Sequence, residues 1–234
     1  MGKFPNRFKA LAQGGEEKGR MLGNIIDLLA GLYPKDFTDD MIALNKYLAH
    51  PKYFRFQNLP KIISEWGYDS NPNPIADTKL GAAYTIAAIR NFIGANYELA
   101  FLFEIKDGLT PTWGIITNDG RPKLRYFALK LLNNLSDIRL LVEGEGSYVK
   151  ALATLSYNRI NVVLVNFDPE EKNIEIVPLT IKGITDGHYF LKTEDIEGKK
   201  TLEEVKVVGG IFKKTFLLTP NMITVAELAK KEIP

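Results

Sequence analysis

Residues 61–71 read KIISEWGYDSN and residues 98–108 read ELAFLFEIKDG. Each stretch contains a short apolar run followed by acidic residues and a polar turn. Such runs are typical of strands that are buried in a parallel sheet. Between them, Asp77 can cap a helix, and Leu80 and Tyr84 belong to an apolar surface that extends nearly all round it. The sequence therefore predicts a strand, a covered helix and a second, parallel strand.

The same alternation extends on either side of this unit. Residues 38–49 (TDDMIALNKYLA) predict a helix, because polar residues that can cap it precede apolar residues at helical spacing. Residues 23–34 (GNIIDLLAGLYP) predict a buried strand, although a helix is also compatible with this length. A last helix begins at Pro122, with an inner apolar stripe formed by Leu124, Phe127, Leu131 and Leu135.

Short strands follow one another beyond residue 137. They occupy residues 148–155, 159–167, 174–183, 187–193, 211–218 and 222–228, with turn-rich segments between them. Spacing of this kind predicts an antiparallel β-sandwich. We therefore expect two domains, residues 1–137 with α/β structure and residues 138–234 with all-β structure.

The composition excludes several kinds of function. The 234 residues carry 30 Lys and Arg against 28 Asp and Glu, a net charge of +2, which is too balanced to favour nucleic-acid binding. The chain has no Cys and only two His, so thiolate chemistry and His-rich metal sites are not expected. Hydrolytic chemistry would therefore use carboxylates.

The sequence also bears on the location of the chain. No apolar stretch approaches the roughly 18 residues that a membrane-spanning helix needs, and we expect no membrane partner. Residues 1–20 lack the apolar core of a signal peptide, so the chain as written is expected to stay in the cytoplasm. An export signal on a preceding segment would change this expectation.

Glu65 stands at the carboxyl end of the first predicted strand, where parallel α/β barrels place catalytic residues. A carboxylate there could attack the anomeric carbon of a sugar while an acid protonates the leaving oxygen. Trp66 and Tyr68 follow it in the sequence and could stack against sugar rings. The pattern alone leaves an alternative open, in which Glu65 is solvated beside a Trp of the core.

Other acidic and aromatic residues join this candidate site. Glu104 and Asp107 end the second predicted strand and would point toward the same edge, where they could bind hydroxyls or tune Glu65. The alternative is an ion pair for Glu104 and a turn-shaping role for Asp107. Trp113 and Tyr33 are further candidates for sugar contact, and each could instead pack beneath a loop.

Three segments resemble, in order, the last two strand and helix units of clan A retaining glycoside hydrolases, including the β-xylosidase-like and cellulase-like groups. They are KIISEWGYDSN (61–71), FLFEIKDG (101–108) and WGIITNDGRPKLRYFALKLLNNL (113–135). The strands that follow also match the accessory β-domain that many of these enzymes carry. The resemblance covers residues 23–228 and is most specific within residues 61–135.

The resemblance implies a role for each candidate residue. Glu65 would be the nucleophile at the end of the seventh barrel strand. Glu104 and Asp107 would close the eighth strand. Trp66 and Tyr68 would line the sugar site.

The chain departs from the family in two places. Leu102 or Phe103 stands where these enzymes often place a Trp, and the Asn-Glu pair that supplies their acid/base residue is absent. A full barrel needs at least about 200 residues and a sandwich about 100 more. The expected fold is therefore a partial (β/α) barrel, made of the last three or four βα units, followed by the antiparallel β-sandwich.

The function implied by the resemblance is that of a glycoside hydrolase fragment or subunit with a carbohydrate substrate. It would contribute the nucleophile and be inactive, or nearly so, without the missing half. No metal or organic cofactor is implied, because glycoside hydrolysis by paired carboxylates needs none. Because a partial barrel exposes an unpaired strand edge, we expect association with a separately encoded amino-terminal half or with a second copy of this chain. Two alternatives stay open. One is a noncatalytic carbohydrate-binding or interaction module based on residues 138–234, and the other is a degenerate remnant without a function.

Overall fold

The structure is a computed structural model that describes residues 34–69, 72–109 and 111–231. These residues divide into two compact units. The first unit contains the described residues up to Ala76 together with Ala88–Arg121. The second contains Asp77–Ala87 and the described residues from Pro122 onward. The domain border at residue 137 stays a prediction.

Two strands and the helix between them organise this part of the chain. Strand β1 (Ile62–Trp66) pairs in parallel with strand β2 (Leu99–Leu102). Helix α2 (Lys79–Gly94) lies between them in the sequence, because two parallel strands need a crossover connection. The predicted order of strand, helix and parallel strand is confirmed.

Helix α1 (Pro34–Leu48) confirms the helix predicted over residues 38–49 and starts earlier, at a Pro. A Pro suits the first turn of a helix, since its missing N–H would have no partner there. The helix buries Phe37 and Met41. The Phe37 ring meets the Phe92 ring edge to face, with 4.6 Å between the centroids, and this contact ties α1 to the second half of α2.

One face of the parallel pair is not covered by the described residues. Ile62, Leu99 and Phe101 are 50%, 49% and 55% exposed, and Ile62 lies opposite Leu99 in the strand register. No closed barrel is formed within the described ranges. The strand predicted over residues 23–34 lies, up to residue 33, outside the described residues.

Antiparallel strands build two sheets in the second unit. The smaller sheet pairs β6 (Glu175–Lys182) with β9 (Ile211–Leu218). The larger sheet has the order β3-β4-β5-β10-β7-β8. Its strands are β3 (Ile138–Arg139), β4 (Val149–Ser156), β5 (Arg159–Asn166), β7 (Gly187–Asp195), β8 (Lys200–Val207) and β10 (Ile223–Lys230).

Every strand predicted beyond residue 137 is confirmed, with ends that differ by at most two residues. The two-residue β3 and the longer β8 were not predicted. β8 reads KTLEEVKV and pairs with β7 at the edge of the larger sheet. Its charged residues mask the apolar alternation, and charges of this kind are common on edge strands because they discourage pairing with other chains.

The larger sheet has an apolar core on each of its faces. One face packs against β6 and β9, through residues such as Val162 and Phe216. The other packs against the first half of α2 and against helix α3 (Leu124–Leu132), through residues such as Val163 and Leu131. Val162 and Val163 serve different cores because successive side chains of a strand point to opposite faces.

Helix α3 differs from the predicted apolar stripe at one position. Its buried residues are Arg125, Ala128 and Leu131, whereas Phe127 is 39% exposed. The predicted inward position of Phe127 is therefore wrong. The helix carries apolar residues on more than one side, and packing against the sheet decides which of them are buried.

Candidate functional site

The carboxyl ends of β1 and β2 form one edge of the parallel pair. The backbone N–H of Phe103 donates to the carbonyl oxygen of Trp66 at 2.9 Å, so the two strands stay together to their ends. Glu65 precedes Trp66, and Glu104 follows Phe103. The structure thus brings the ends of the strands that carry Glu65 and Glu104 to the same edge, as the sequence predicted for a parallel pair.

A β-bulge in β1 sets the direction of Glu65. Ile63 lies opposite Ala100 and Trp66 lies opposite Leu102, so two residues of β1, Ser64 and Glu65, face one residue of β2. The bulge interrupts the alternation of the strand, with Ser64 and Glu65 both exposed and Trp66 buried. Bulges commonly re-aim a side chain beside an active site. Glu65 is consequently open to solvent at the edge of the pair.

Trp66 is packed inside the first unit. Its side chain is 3% exposed, and its ring meets the Phe92 ring edge to face with 4.9 Å between the centroids. This is the arrangement of the alternative in which a core Trp lies beside a solvated Glu. The contact of Trp66 with a sugar ring stays a prediction.

Tyr68 lies just beyond β1 and is half-buried. Burial, and to a lesser degree the carboxylate of Asp69, raises the pKa of the Tyr68 phenol above its usual value. The hydroxyl group therefore stays protonated at neutral pH and can donate a hydrogen bond. The predicted role of Tyr68, stacking against a sugar ring and lining the sugar site, stays a prediction.

The loop after β2 folds back against the end of the strand. The Glu104 N–H donates to the carbonyl oxygen of Trp113 at 3.1 Å, and the Ile115 N–H donates to that of Glu104 at 3.1 Å. The ring of Trp113 meets that of Phe103 edge to face, with 5.7 Å between the centroids. Glu104 and Trp113 are both half-buried. The structure thus brings these two predicted site residues together.

Asp107 is engaged in the shape of this loop. Its side chain is buried, and its Oδ1 accepts hydrogen bonds from the backbone N–H groups of Thr112 at 3.1 Å and Gly114 at 2.8 Å. These contacts are those of the turn-shaping alternative. A role of Asp107 in binding substrate stays a prediction.

A polar network joins the loop after β1 to the loop after β2, and sequence reasoning did not find it. Asn73 Nδ2 donates to Asp69 Oδ2 at 3.0 Å. The backbone N–H of Asn73 donates to Thr112 Oγ1 at 3.0 Å. The signal in the sequence was the polar loop YDSNPNP, but a short polar loop does not reveal its partner nearly forty residues away.

Three further expectations concern metal ligands, membrane-spanning helices and Tyr33. Within residues 34–69, 72–109 and 111–231, no group of three or more His, Cys, Asp or Glu side chains is arranged to hold a metal ion. No helix in the same ranges is both long and apolar enough to cross a membrane. Tyr33 lies outside the described residues, so its predicted place at the site stays a prediction.

The arrangement supplies one solvent-exposed carboxylate with polar and aromatic neighbours. Glu65 can act as a nucleophile or a base, Tyr68 as a hydrogen-bond donor, and Glu104 as an acceptor from hydroxyl groups. Retaining hydrolysis of a glycoside needs two carboxyl groups roughly 5 to 5.5 Å apart, one as nucleophile and one as acid. The edge is thus suited to the nucleophilic half of such a reaction.

No family model matches the chain, and no curated protein matches it. Several solved structures share its fold. A glucosidase from Croceicoccus marinus is 17% identical with a TM-score of 0.70, and the match covers 86% of this chain and 51% of that one. A monomeric β-xylosidase from Caulobacter crescentus CB15 is 16% identical with a TM-score of 0.65, over 85% of this chain and 50% of that one.

An α-L-arabinofuranosidase from Thermotoga maritima is 17% identical with a TM-score of 0.60, over 84% of this chain and 48% of that one. The chain thus spans about half the length of these structures. The predicted resemblance to clan A glycoside hydrolases is confirmed at the level of the fold.

Proposed function

We propose that this chain is the carboxyl-terminal portion of a retaining glycoside hydrolase. In this proposal residues 1–137 are the last three or four βα units of a (β/α) barrel, and residues 138–234 are the accessory β-sandwich. The parallel pair with its crossover helix supports the barrel, and the two antiparallel sheets around a shared core support the sandwich. The half-length match to glycoside hydrolase structures supports the view that further barrel units complete the enzyme.

Glu65 is the proposed nucleophile. The observation that carries this assignment is the bulge in β1, which turns Glu65 out to solvent at the carboxyl end of a parallel strand. In barrels this end of the strands is the catalytic face. The carboxylate attacks the anomeric carbon to form a covalent glycosyl-enzyme, and water then hydrolyses that intermediate.

Neighbouring residues bind the sugar in this proposal. Tyr68 donates a hydrogen bond, Glu104 accepts one from a hydroxyl group, and the Trp113 ring supplies an apolar surface for a sugar ring. Trp66 and Asp107 act mainly by holding the strand and loop that carry these groups.

The acid that protonates the leaving group comes from the missing part of the barrel. The acid/base Asn-Glu pair of the resembling enzymes has no counterpart in this chain. A barrel half that packs against the exposed face of the parallel pair would bring such a residue to the edge beside Glu65. The chain is inactive, or nearly so, until this half is present.

A complementation assay tests the proposal. The chain is mixed with a front barrel half from a neighbouring gene that carries Asn-Glu after a strand, and hydrolysis of aryl glycosides is followed. We expect activity in the mixture only. Glu65→Gln should lower kcat at least about 1,000-fold, since a covalent step is lost. Activity that survives Glu65→Gln would remove the assignment.

A matched control and a rescue separate catalysis from folding. Glu98 is exposed at the opposite, amino-terminal end of β2, so Glu98→Gln should leave the rate of the mixture unchanged. In Glu65→Ala, added azide should restore part of the turnover, because a small anion can occupy the vacated space and attack the same carbon. A glutamate with a purely structural role would show no such rescue.

A further inference from the structure

The larger sheet of the second unit has an open region on one face. On this face Val163 and Val225 belong to the core beneath α2 and α3. Farther along the same strands, Arg159 of β5 and Glu227 of β10 lie on the same face, because side chains two or four residues apart share a face. The described residues form an open groove of about 470 Å³ there, whose lining includes Arg159, Phe190, Lys192, Leu202, Glu227, Ala229 and Lys230.

The strand register places an apolar surface across this groove. Phe190 of β7 lies opposite Ala229 of β10, and Lys192 lies opposite Leu202 of β8. Phe190 is half-buried, and Leu202 is 68% exposed. A ring beside a small residue and an exposed aliphatic side chain offer a shallow surface on which the C–H groups of a flat, ring-shaped ligand can pack.

Charged groups surround this apolar surface. Arg159 and Lys192 are exposed, and neither forms an ion pair with another described residue. Lys230 is engaged elsewhere, since its Nζ donates to Thr185 Oγ1 at 2.8 Å. Glu227 lies directly opposite Lys192 in the register and is half-buried. The groove thus has two cations available for a ligand and one carboxylate that can accept hydrogen bonds.

We propose that this groove binds an acidic saccharide, a sugar chain that carries carboxylate groups. Arg159 and Lys192 pair with the ligand carboxylates, Phe190 packs against a sugar ring, and Glu227 accepts hydrogen bonds from hydroxyl groups. An acidic peptide fits the same groove less well, because it offers few hydroxyl groups to Glu227. The choice of a saccharide rests on the proposed function.

Isothermal titration calorimetry on the full chain tests this site, with trigalacturonic acid as the probe and its methyl ester as a ligand without charge. We expect the acid to bind and the ester to bind at least about tenfold more weakly, since the ester cannot form charge-assisted hydrogen bonds with Arg159 and Lys192. Lys192→Gln should weaken binding of the acid by a similar factor. Lys213→Gln is the matched control, because Lys213 is an exposed strand lysine on β9, outside the groove.

Three results would overturn the proposal. They are no binding of the acid at millimolar concentration, equal binding of acid and ester, and an equal loss in Lys192→Gln and Lys213→Gln. If tetraglutamate binds as tightly as the saccharide, the proposal is also wrong, because the ligand class would then be acidic peptides. Binding should be unchanged in Glu65→Gln. If the complemented enzyme is active but the groove binds no saccharide, only the proposed groove site is wrong. If the groove binds the saccharide but the complemented mixture has no glycosidase activity, only the proposed function is wrong.

Discussion

Glu65 and Trp66 each lie on the face of β1 opposite to the one that they would occupy in a strand without the bulge. In regular pairing Ser64 would lie opposite Phe101 and Glu65 opposite Leu102, on the less exposed face of the pair. The bulge moves Trp66 to the position opposite Leu102, where it is buried, and leaves Glu65 exposed. One additional residue therefore exchanges the environments of a carboxylate and an indole, as a shift of register by one residue does.

This arrangement predicts that Trp66 contributes chiefly to stability. Trp66→Ala should lower the free energy of unfolding by about 3 to 5 kcal/mol, because it leaves a cavity against Phe92. Trp113→Ala, at a half-buried position, should cost clearly less. Urea denaturation followed by circular dichroism measures both. Equal costs would mean that the Trp66 ring is not packed as described.

Gly114 is a second residue whose identity the structure requires. A Cβ atom there would overlap backbone atoms of Lys106 and Asp107 and would lie 2.7 Å from the carbonyl oxygen of Ile116. We expect Gly114→Ala to destabilise the chain by about 1 to 3 kcal/mol, as overpacking does, and to loosen the loop that carries Trp113. Thermal unfolding measures this loss. Gly120→Ala is unsuitable as a control because Gly120 has a positive φ. A Cβ at Gly146 would meet only the backbone nitrogen of Val149, at an ordinary 3.9 Å, so Gly146→Ala should be nearly neutral.

At the scale of elements, loops on this chain are held by carboxylates that accept backbone hydrogen bonds. Asp168 does so between β5 and β6. Its Oδ2 accepts from the N–H groups of Lys172 at 2.7 Å and Asn173 at 2.6 Å. The loop thus keeps a fixed shape without regular secondary structure, because its polar backbone groups have partners.

The pH dependence of stability should report on this loop. Burial raises the pKa of Asp168, but hydrogen bonds from Asn173, Lys172 and Glu170 outweigh it and hold the pKa below its usual 3.8. Ionised Asp168 therefore stabilises the fold fully above about pH 4, and this contribution is lost as the pH falls through the lowered pKa.

Asp168→Asn tests this account. The variant should be about 1 to 3 kcal/mol less stable than the wild type at pH 7, since it loses charged hydrogen bonds, and the difference should shrink toward pH 3. Urea denaturation at both pH values measures it. Other carboxylates with lowered pKa values are present in both the wild type and the variant, so their contributions cancel in the difference between the two unfolding free energies. A difference that is constant with pH would contradict a role for the charge.

At the scale of the whole molecule, the chain presents apolar surface that a closed barrel would cover. Ile62, Leu99, Phe101 and Phe103 are all more than a third exposed on the parallel pair. Contiguous apolar surface of this kind usually marks an interaction site. In the proposed enzyme the missing barrel half covers it.

Without that half, the chain should associate with itself through this face. Phe101→Ser should weaken association at least about tenfold while leaving the fold intact, because the side chain is 55% exposed. Leu217→Ser, at a 66% exposed position on β9, should have no such effect. Sedimentation velocity over a range of concentrations measures this. A wild-type chain that stays monomeric throughout would contradict the prediction.

Patterns within short stretches were enough to predict most elements. β1, α2 and β2 were predicted correctly because apolar runs and helix caps act within a few residues. The prediction missed β8, whose charged residues suit an edge strand, and placed Phe127 inward in α3, where packing against the sheet exposes it. Both errors concern features that depend on the neighbours of an element in the folded protein.

The candidate site divides in the same way. Local pattern was sufficient to put Glu65, Trp66 and Glu104 at the ends of parallel strands. It could not tell which of Glu65 and Trp66 is exposed, nor that Asn73 donates to Thr112. The bulge exists only in the pairing of β1 with β2, whose residues are more than thirty positions away in the chain. Side-chain direction and loop contacts follow from such distant pairings, because hydrogen bonds and packing join residues that neighbour each other only in the folded protein.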